Sequence, residues 1–115
     1  MNIELLQKYC LSLPSVTEDI KWEHDLVFSI GGKMFCVASL EPPFTFSFKV
    51  PDDEFEELIL KEGLKPAPYM ARAKWILVEK ATIRTTKEWE KSIRKSYELV
   101  SAKLTKKVKT ELGLL

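Results

Sequence analysis

A β-hairpin is predicted by Leu26-Val27-Phe28-Ser29-Ile30-Gly31-Gly32-Lys33-Met34-Phe35. The first five residues alternate as a half-buried strand does, and the two glycines supply the positive-φ backbone of a tight turn. The second strand is expected to run from Lys33 to Leu40. Two adjacent antiparallel strands therefore begin a sheet.

Two further strands are predicted downstream of the hairpin. Large apolar and polar residues alternate over Phe44–Val50, as in an antiparallel strand with one buried and one wet face. A last apolar run extends from Ala73 to Glu79.

Three helices complete the pattern. Asn2 is expected to cap a helix that reaches about Leu13, and Pro51 opens an acidic helix that Gly63 terminates. Thr85 begins a capping box for a long final helix whose apolar residues repeat every three or four positions as far as Leu104.

The predicted order is helix, three strands, helix, one or two strands, helix. Residues 14–25 are expected to form a polar connection, and residues 105–109 to add a further helical turn. We predict one α+β domain over residues 1–115, with helices covering one face of an antiparallel sheet.

Composition is typical of a globular protein, with 45% apolar and 30% charged residues. No apolar run reaches the roughly 18 residues of a membrane span, and the first residues lack a signal-peptide pattern, so a cytoplasmic protein without membrane association is expected. Cys10 and Cys36 lie in apolar patterns without metal-ligand spacing and are predicted to be reduced core thiols.

Charge is distributed unevenly along the chain. Residues 1–62 hold 5 Lys and Arg against 12 Asp and Glu, whereas residues 63–115 hold 13 against 5. A basic half indicates an anionic partner, nucleic acid being the usual one. The alternative is that the two halves attract each other or that the charges only solvate helices.

No catalytic motif is present in the sequence. His24 is flanked by Glu23 and Asp25, but neighbours in an extended segment point apart, and a surface role is favoured. The glycines at 31 and 32 lack phosphate-loop spacing, and no nucleophile elbow occurs. We therefore predict a non-enzymatic protein with no catalytic residue, bound metal or cofactor.

Nucleic-acid binding is favoured by cations interleaved with aromatic residues in the second half of the chain. Lys and Arg on one surface contact phosphates, while exposed rings stack on bases. The predicted DNA-binding residues are Lys33, Lys65, Arg72, Lys74, Lys87, Lys91, Arg94 and Lys95. The alternative is an ordinary solvated helix face.

Three stretches of the sequence carry a family resemblance: Leu13-Pro14-Ser15-Val16-Thr17-Glu18-Asp19 followed by Trp22, Gly31-Gly32-Lys33-Met34-Phe35, and Pro66-Ala67-Pro68-Tyr69-Met70 followed by Lys74-Trp75. With these stretches the chain resembles the MmcQ/YjbR-like family of small bacterial proteins. The resemblance implies a CyaY-like fold and a double-wing motif that binds double-stranded DNA. We predict that the wings are the Gly31-Gly32 hairpin and the loop-strand region from Lys65 to Trp75.

An aromatic pocket for a small ligand or a protein partner is the alternative function. Helix and strand periodicity does not require several polar and aromatic side chains that such a pocket would use. These are Glu18, Trp22, His24, Tyr69 and Trp75. They can equally be scaffold, with rings closing the ends of the sheet.

Overall fold

The computed structural model describes residues 1–114. Its strands are β1 (Val16–Lys21), β2 (Asp25–Ile30), β3 (Lys33–Ser39), β4 (Phe46–Lys49), β5 (Leu64–Pro66) and β6 (Trp75–Val78). They form a six-stranded antiparallel sheet in the order β1-β2-β3-β4-β6-β5. The predicted α+β class is confirmed.

Four α-helices accompany the strands within residues 1–114. They are α1 (Ile3–Ser12), α2 (Asp52–Leu58), α3 (Thr86–Ala102) and α4 (Lys106–Glu111), with short 3-10 turns at Ala71–Ala73 and Ala81–Ile83. No helix in this part of the chain combines the length and apolar character of a membrane span.

The core lies between the sheet and helices α1, α2 and α3. Helix α3 crosses β3 and β4, while α1 packs on β1 and α2 on β6. Trp89 of α3 meets the rings of Phe46 and Phe48 edge-on, and its indole Nε1 donates to the carbonyl oxygen of Ala81 at 2.7 Å. Cys10 and Cys36 are free and fully buried, as the sequence predicts.

The segment expected to be a polar connection contains β1. This strand pairs with β2 from Val16 opposite Ile30 to Lys21 opposite Asp25. Most of its side chains are exposed although α1 packs on it, because it is an edge strand with a neighbouring strand on one side only. An edge strand of this kind lacks the polarity alternation that identifies a half-buried strand, so the prediction was wrong here.

Two predicted helix ends and one strand start also differ from the structure. Helix α2 ends at Leu58 instead of Gly63, because the following residues form tight turns. The final helix stops at Ala102, and Thr105 caps α4 by accepting a hydrogen bond from the Val108 amide. Strand β6 begins at Trp75 because the preceding residues form a 3-10 turn.

Candidate ligand-binding site

Helices α1, α2 and α3 cover one face of the sheet and leave the other, which we call the open face. Strands expose alternate residues on opposite faces. Val37 pairs with Ser47, and Ser47 pairs with Leu77, so one row of open-face residues crosses β3, β4 and β6. No helix within residues 1–114 packs on the apolar members of this row.

A cavity of about 670 Å³ lies on the open face. Its walls are mainly apolar, with a few polar groups, which is the usual composition of a small-molecule site. The lining residues are Trp22, Asp25, Met34, Val37, Ser39, Thr45, Phe46, Ser47, Ala67, Pro68, Tyr69, Met70 and Leu77.

Trp22 and Tyr69 form the rim of the cavity. Trp22 is 61% exposed, and Tyr69 is fully exposed. Both adopt left-handed backbone conformations, with φ of +53° and +65°. Such a conformation is unfavourable for a side chain with a Cβ atom, by roughly 1–2 kcal/mol. Two large rings are therefore held in solvent at strained turn positions.

The rim residues come from opposite ends of the strands. Trp22 lies in the turn between β1 and β2, at the end where Asp25 pairs with Ser39. Tyr69 lies in the connection between β5 and β6, next to the end where Lys49 pairs with Trp75. The cavity therefore extends along the strands from one turn to the other.

Backbone hydrogen bonds hold the connection that carries Tyr69. The amide of Ala67 donates to the Trp75 carbonyl at 3.0 Å, and that of Met70 donates to the Ala67 carbonyl at 3.1 Å. The Trp75 amide in turn donates to the Met70 carbonyl at 3.3 Å. These bonds close the segment into a compact loop, which places Tyr69 at its tip.

The structure brings two of the five predicted pocket residues to the cavity, namely Trp22 and Tyr69. His24 does not line it, and its Nδ1 lies 2.9 Å from Glu41 Oε1. Trp75 is only 4% exposed and does not line the cavity.

Glu18 lies on the other side of the sheet. It pairs with Phe28, whose side chain belongs to the core, and its carboxylate accepts a hydrogen bond from Gln7 Nε2 of α1 at 2.9 Å. Glu18 therefore supports the packing of α1 and takes no part in the cavity.

Sequence reasoning missed the floor of the cavity and its acidic wall. Met34, Val37 and Leu77 occupy strand positions that alternate with the core residues. The signal available in the sequence for this floor was the apolar character of these side chains on a face expected to be exposed to solvent. Asp25 also lines the cavity, whereas the sequence singles it out only as a neighbour of His24.

Four predicted DNA-binding residues form an exposed group on α3: Lys87, Lys91, Arg94 and Lys95. Within residues 1–114, no carboxylate lies within 4.0 Å of their charged nitrogens. Lys91 and Lys95 also border a cleft of about 250 Å³ between α2 and α3. Lys49 and Arg84, which sequence reasoning missed, line the same cleft.

Lys49 is a half-buried cation of this cleft. Burial lowers its pKa, and the positive charge of Lys103 lowers it further. Its ammonium donates to the Ala73 carbonyl, so part of its hydrogen-bonding capacity is already used.

The other four predicted DNA-binding residues are dispersed. Lys33 and Arg72 are exposed, in the β2–β3 hairpin and in the connection between β5 and β6. Strand register places these two segments at the same end of the sheet. Lys65 pairs with Glu79 at 3.2 Å.

Lys74 extends toward α2 and away from the open face. Its ammonium lies 5.0 Å from the centroid of the Phe55 ring, in a cation–π contact. Among residues 1–114, no group of three or more His, Cys, Asp or Glu side chains is placed to hold a metal ion.

Comparison with known proteins places the chain among small proteins of the same fold. A crystal structure of the Deinococcus radiodurans protein DR2400, described as a DUF419 domain, superposes with a TM-score of 0.88 at 26% identity, covering 99% of this chain and 89% of that one. A Pseudomonas syringae protein superposes with a TM-score of 0.72 at 22% identity, covering 86% and 98% of the two chains. No curated protein matches.

The family model described as YjbR matches residues 11–99, which include the whole sheet and most of α3. The match spans the hairpin, the open face and both rim residues. This chain therefore belongs to the YjbR family.

Proposed function

We propose that this protein is a binding module that takes a small organic molecule in the open-face cavity. The observation that carries the proposal is the cavity itself, whose volume of about 670 Å³ is typical of small-molecule sites. Its apolar floor stabilises a ligand by removing apolar surface from water.

The rim supports the same proposal. Left-handed strain at non-glycine residues is frequent at ligand-binding sites, where surrounding structure maintains it. Trp22 and Tyr69 keep their rings in solvent, where they are available to cover a ligand. Met34 and Met70 add flexible walls that adapt to irregular shapes.

Titration with Nile red, a neutral apolar dye that brightens in apolar surroundings, tests this proposal. Wild-type protein is expected to give saturable binding at a single site. Val37→Trp, which fills the floor, should weaken binding by at least about tenfold, equivalent to about 1.4 kcal/mol. Leu77→Trp tests the same floor from β6, with circular dichroism verifying the fold of both variants.

Two further variants separate the site from other apolar surface. Tyr69→Gly removes a rim ring and also relieves its backbone strain, so the dye should bind more weakly without loss of stability. Leu60→Ser changes an exposed leucine outside the cavity and should leave dye binding unchanged. The proposal would be overturned if the wild-type protein showed no saturable dye binding, or if the floor variants bound the dye as tightly as the wild-type protein does.

Binding of double-stranded DNA is the second candidate. It is favoured by the exposed cations of α3, which have no carboxylate partner among residues 1–114, and by the position of both predicted wings at one end of the sheet. Non-specific binding to DNA does not require contacts with the bases, because neutralisation of phosphates supplies most of its affinity.

Fluorescence anisotropy of a labelled random duplex, at low and at physiological salt, tests this candidate. Affinity is expected to fall with salt by a slope of about −0.9 per phosphate neutralised. The double variant Lys91→Glu/Lys95→Glu should abolish binding. The control Lys106→Glu/Lys107→Glu makes the same charge change on α4 and should still bind DNA. If both double variants lose the same DNA affinity, α3 is not the contact surface.

A further inference from the structure

We propose that the open-face cavity selects organic cations, meaning molecules with an apolar body and an amine or quaternary ammonium group. The inference rests on the proposed function and specifies its ligand. Among the cavity-lining residues in the described part of the chain, 1–114, Asp25 is the only one with a charged side chain.

Asp25 is placed to receive a cationic group. It begins β2 and is partly buried beside Ser39, its partner on β3. Lys21 is opposite it on β1, yet within residues 1–114 no Lys, Arg or His nitrogen lies within 4.0 Å of the Asp25 carboxylate. A ligand ammonium would therefore form a charge-assisted hydrogen bond that the protein itself does not make.

Surrounding charges favour a cation over an anion. Besides Asp25, the nearby turn and strand ends carry Glu23 and Glu41, whereas the basic residues there are Lys21 and His24. His24 lies between two of these acids, 2.9 Å from Glu41 and 3.9 Å from Glu23. An anionic ligand would meet net repulsion at this end of the cavity.

The rim rings supply the second element of cation recognition. A cation over the face of a tryptophan or tyrosine is attracted by the ring quadrupole, by about 0.5–1 kcal/mol at exposed sites. Trp22 lies three residues before Asp25, on the same turn, so one end of the cavity offers both a ring and a carboxylate. The apolar floor formed by Met34, Val37 and Leu77 receives the rest of the molecule.

Isothermal titration with three probes of the same shape tests the inference: 1-naphthylmethylamine, 1-naphthylmethanol and 1-naphthoate. The amine is expected to bind about five to ten times more tightly than the alcohol, as one charge-assisted hydrogen bond implies. The carboxylate should bind most weakly.

Asp25→Asn should reduce the affinity for the amine to that for the alcohol and leave the alcohol unchanged. Unchanged alcohol binding also demonstrates that the variant is folded and its cavity intact. Asp19→Asn removes the same charge from a residue outside the cavity and should preserve the preference for the amine.

The outcomes distinguish this inference from the proposed function. Equal binding of amine and alcohol, or an amine preference that survives Asp25→Asn, would overturn cation selection and leave ligand binding in place. Failure of all three probes to bind would overturn both.

Discussion

Ser96 Oγ donates a hydrogen bond to the carbonyl oxygen of Phe35 at 2.6 Å and accepts one from the Lys49 amide at 2.9 Å. Phe35 is the extra residue of a β-bulge, because Phe28 pairs with Cys36 whereas the next residue of β2 pairs with Met34. One buried hydroxyl on α3 thus connects the helix to the bulge of β3 and to β4. This connection fixes how the helix crosses the covered face of the sheet.

Ser96→Ala is expected to destabilise the protein by about 1–3 kcal/mol, because it leaves a buried carbonyl and a partly buried amide without their partner. The free energy of unfolding in urea, measured by circular dichroism, checks this. The control Ser101→Ala removes a hydroxyl that donates to its own helix at an exposed position, and it should change stability by less than about 0.5 kcal/mol. Equal losses in the two variants would contradict the role of Ser96.

The sequence predicts elements whose signal is local. The hairpin at Gly31-Gly32 and the capping box at Thr85 depend on residues a few positions apart, and both are present in the structure. Strand β1 was missed because its exposed edge position leaves little apolar pattern. The end of α2 at Leu58 depends on turns that the glycine at 63 does not reveal.

The cavity depends on tertiary structure and could be predicted only in part. Trp22 and Tyr69 were identifiable as residues that periodicity does not require, and both reach the rim. Val37 and Leu77 are marked in the sequence only as apolar residues between core positions. Alternation alone does not indicate which sheet face the helices leave open, so it does not assign them to a cavity. Trp75 was equally ambiguous, and burial beneath the neighbouring connection makes it a structural residue.

Gly31 and Gly32 are predicted to differ in their tolerance of alanine. Both have positive φ, so alanine at either position costs about 1 kcal/mol or more in backbone strain. A Cβ atom at Gly31 would also lie 2.9 Å from the methyl groups of Leu104. A Cβ atom at Gly32 would have no atom of residues 1–114 within 4 Å, apart from its chain neighbours.

Gly31→Ala should therefore be less stable than Gly32→Ala by at least about 1 kcal/mol, because Leu104 is packed in the core and must shift. Urea denaturation of both variants provides the comparison. If the two variants lose the same free energy of unfolding, the contact between the hairpin and the segment after α3 contributes nothing to stability.

Cys10 and Cys36 are expected to be unreactive in the folded protein. Burial raises the pKa of the Cys36 thiol well above its ordinary value, and a hydrogen bond with Cys10 raises it further. Since the thiolate is the reactive form, Ellman's reagent at pH 8 should label neither cysteine until denaturant is added. The control Leu60→Cys introduces a thiol at an exposed site and should react at once. Rapid labelling of the wild-type protein would show that the core opens.

The capping box of α3 predicts a dependence of stability on pH. Glu88 Oε1 accepts a hydrogen bond from the Thr85 amide at 2.9 Å. The hydrogen bonds to the backbone and to the side chain of Thr85 hold the pKa of Glu88 below its ordinary value of 4.5. A carboxylate with a lowered pKa in the folded state stabilises that state above the unfolded pKa, and this stabilisation is lost as pH falls through the folded pKa.

Wild-type protein should therefore be more stable than Glu88→Gln at pH 6 to 7, because only the carboxylate interacts with the helix dipole as a charge. The difference should diminish below about pH 4.5 and disappear once Glu88 is protonated, so urea denaturation at several pH values measures it. Glu98→Gln removes a carboxylate of the same helix that takes no part in the cap, and it should not reproduce this profile. A difference that is independent of pH would mean that the cap acts through neutral hydrogen bonds alone.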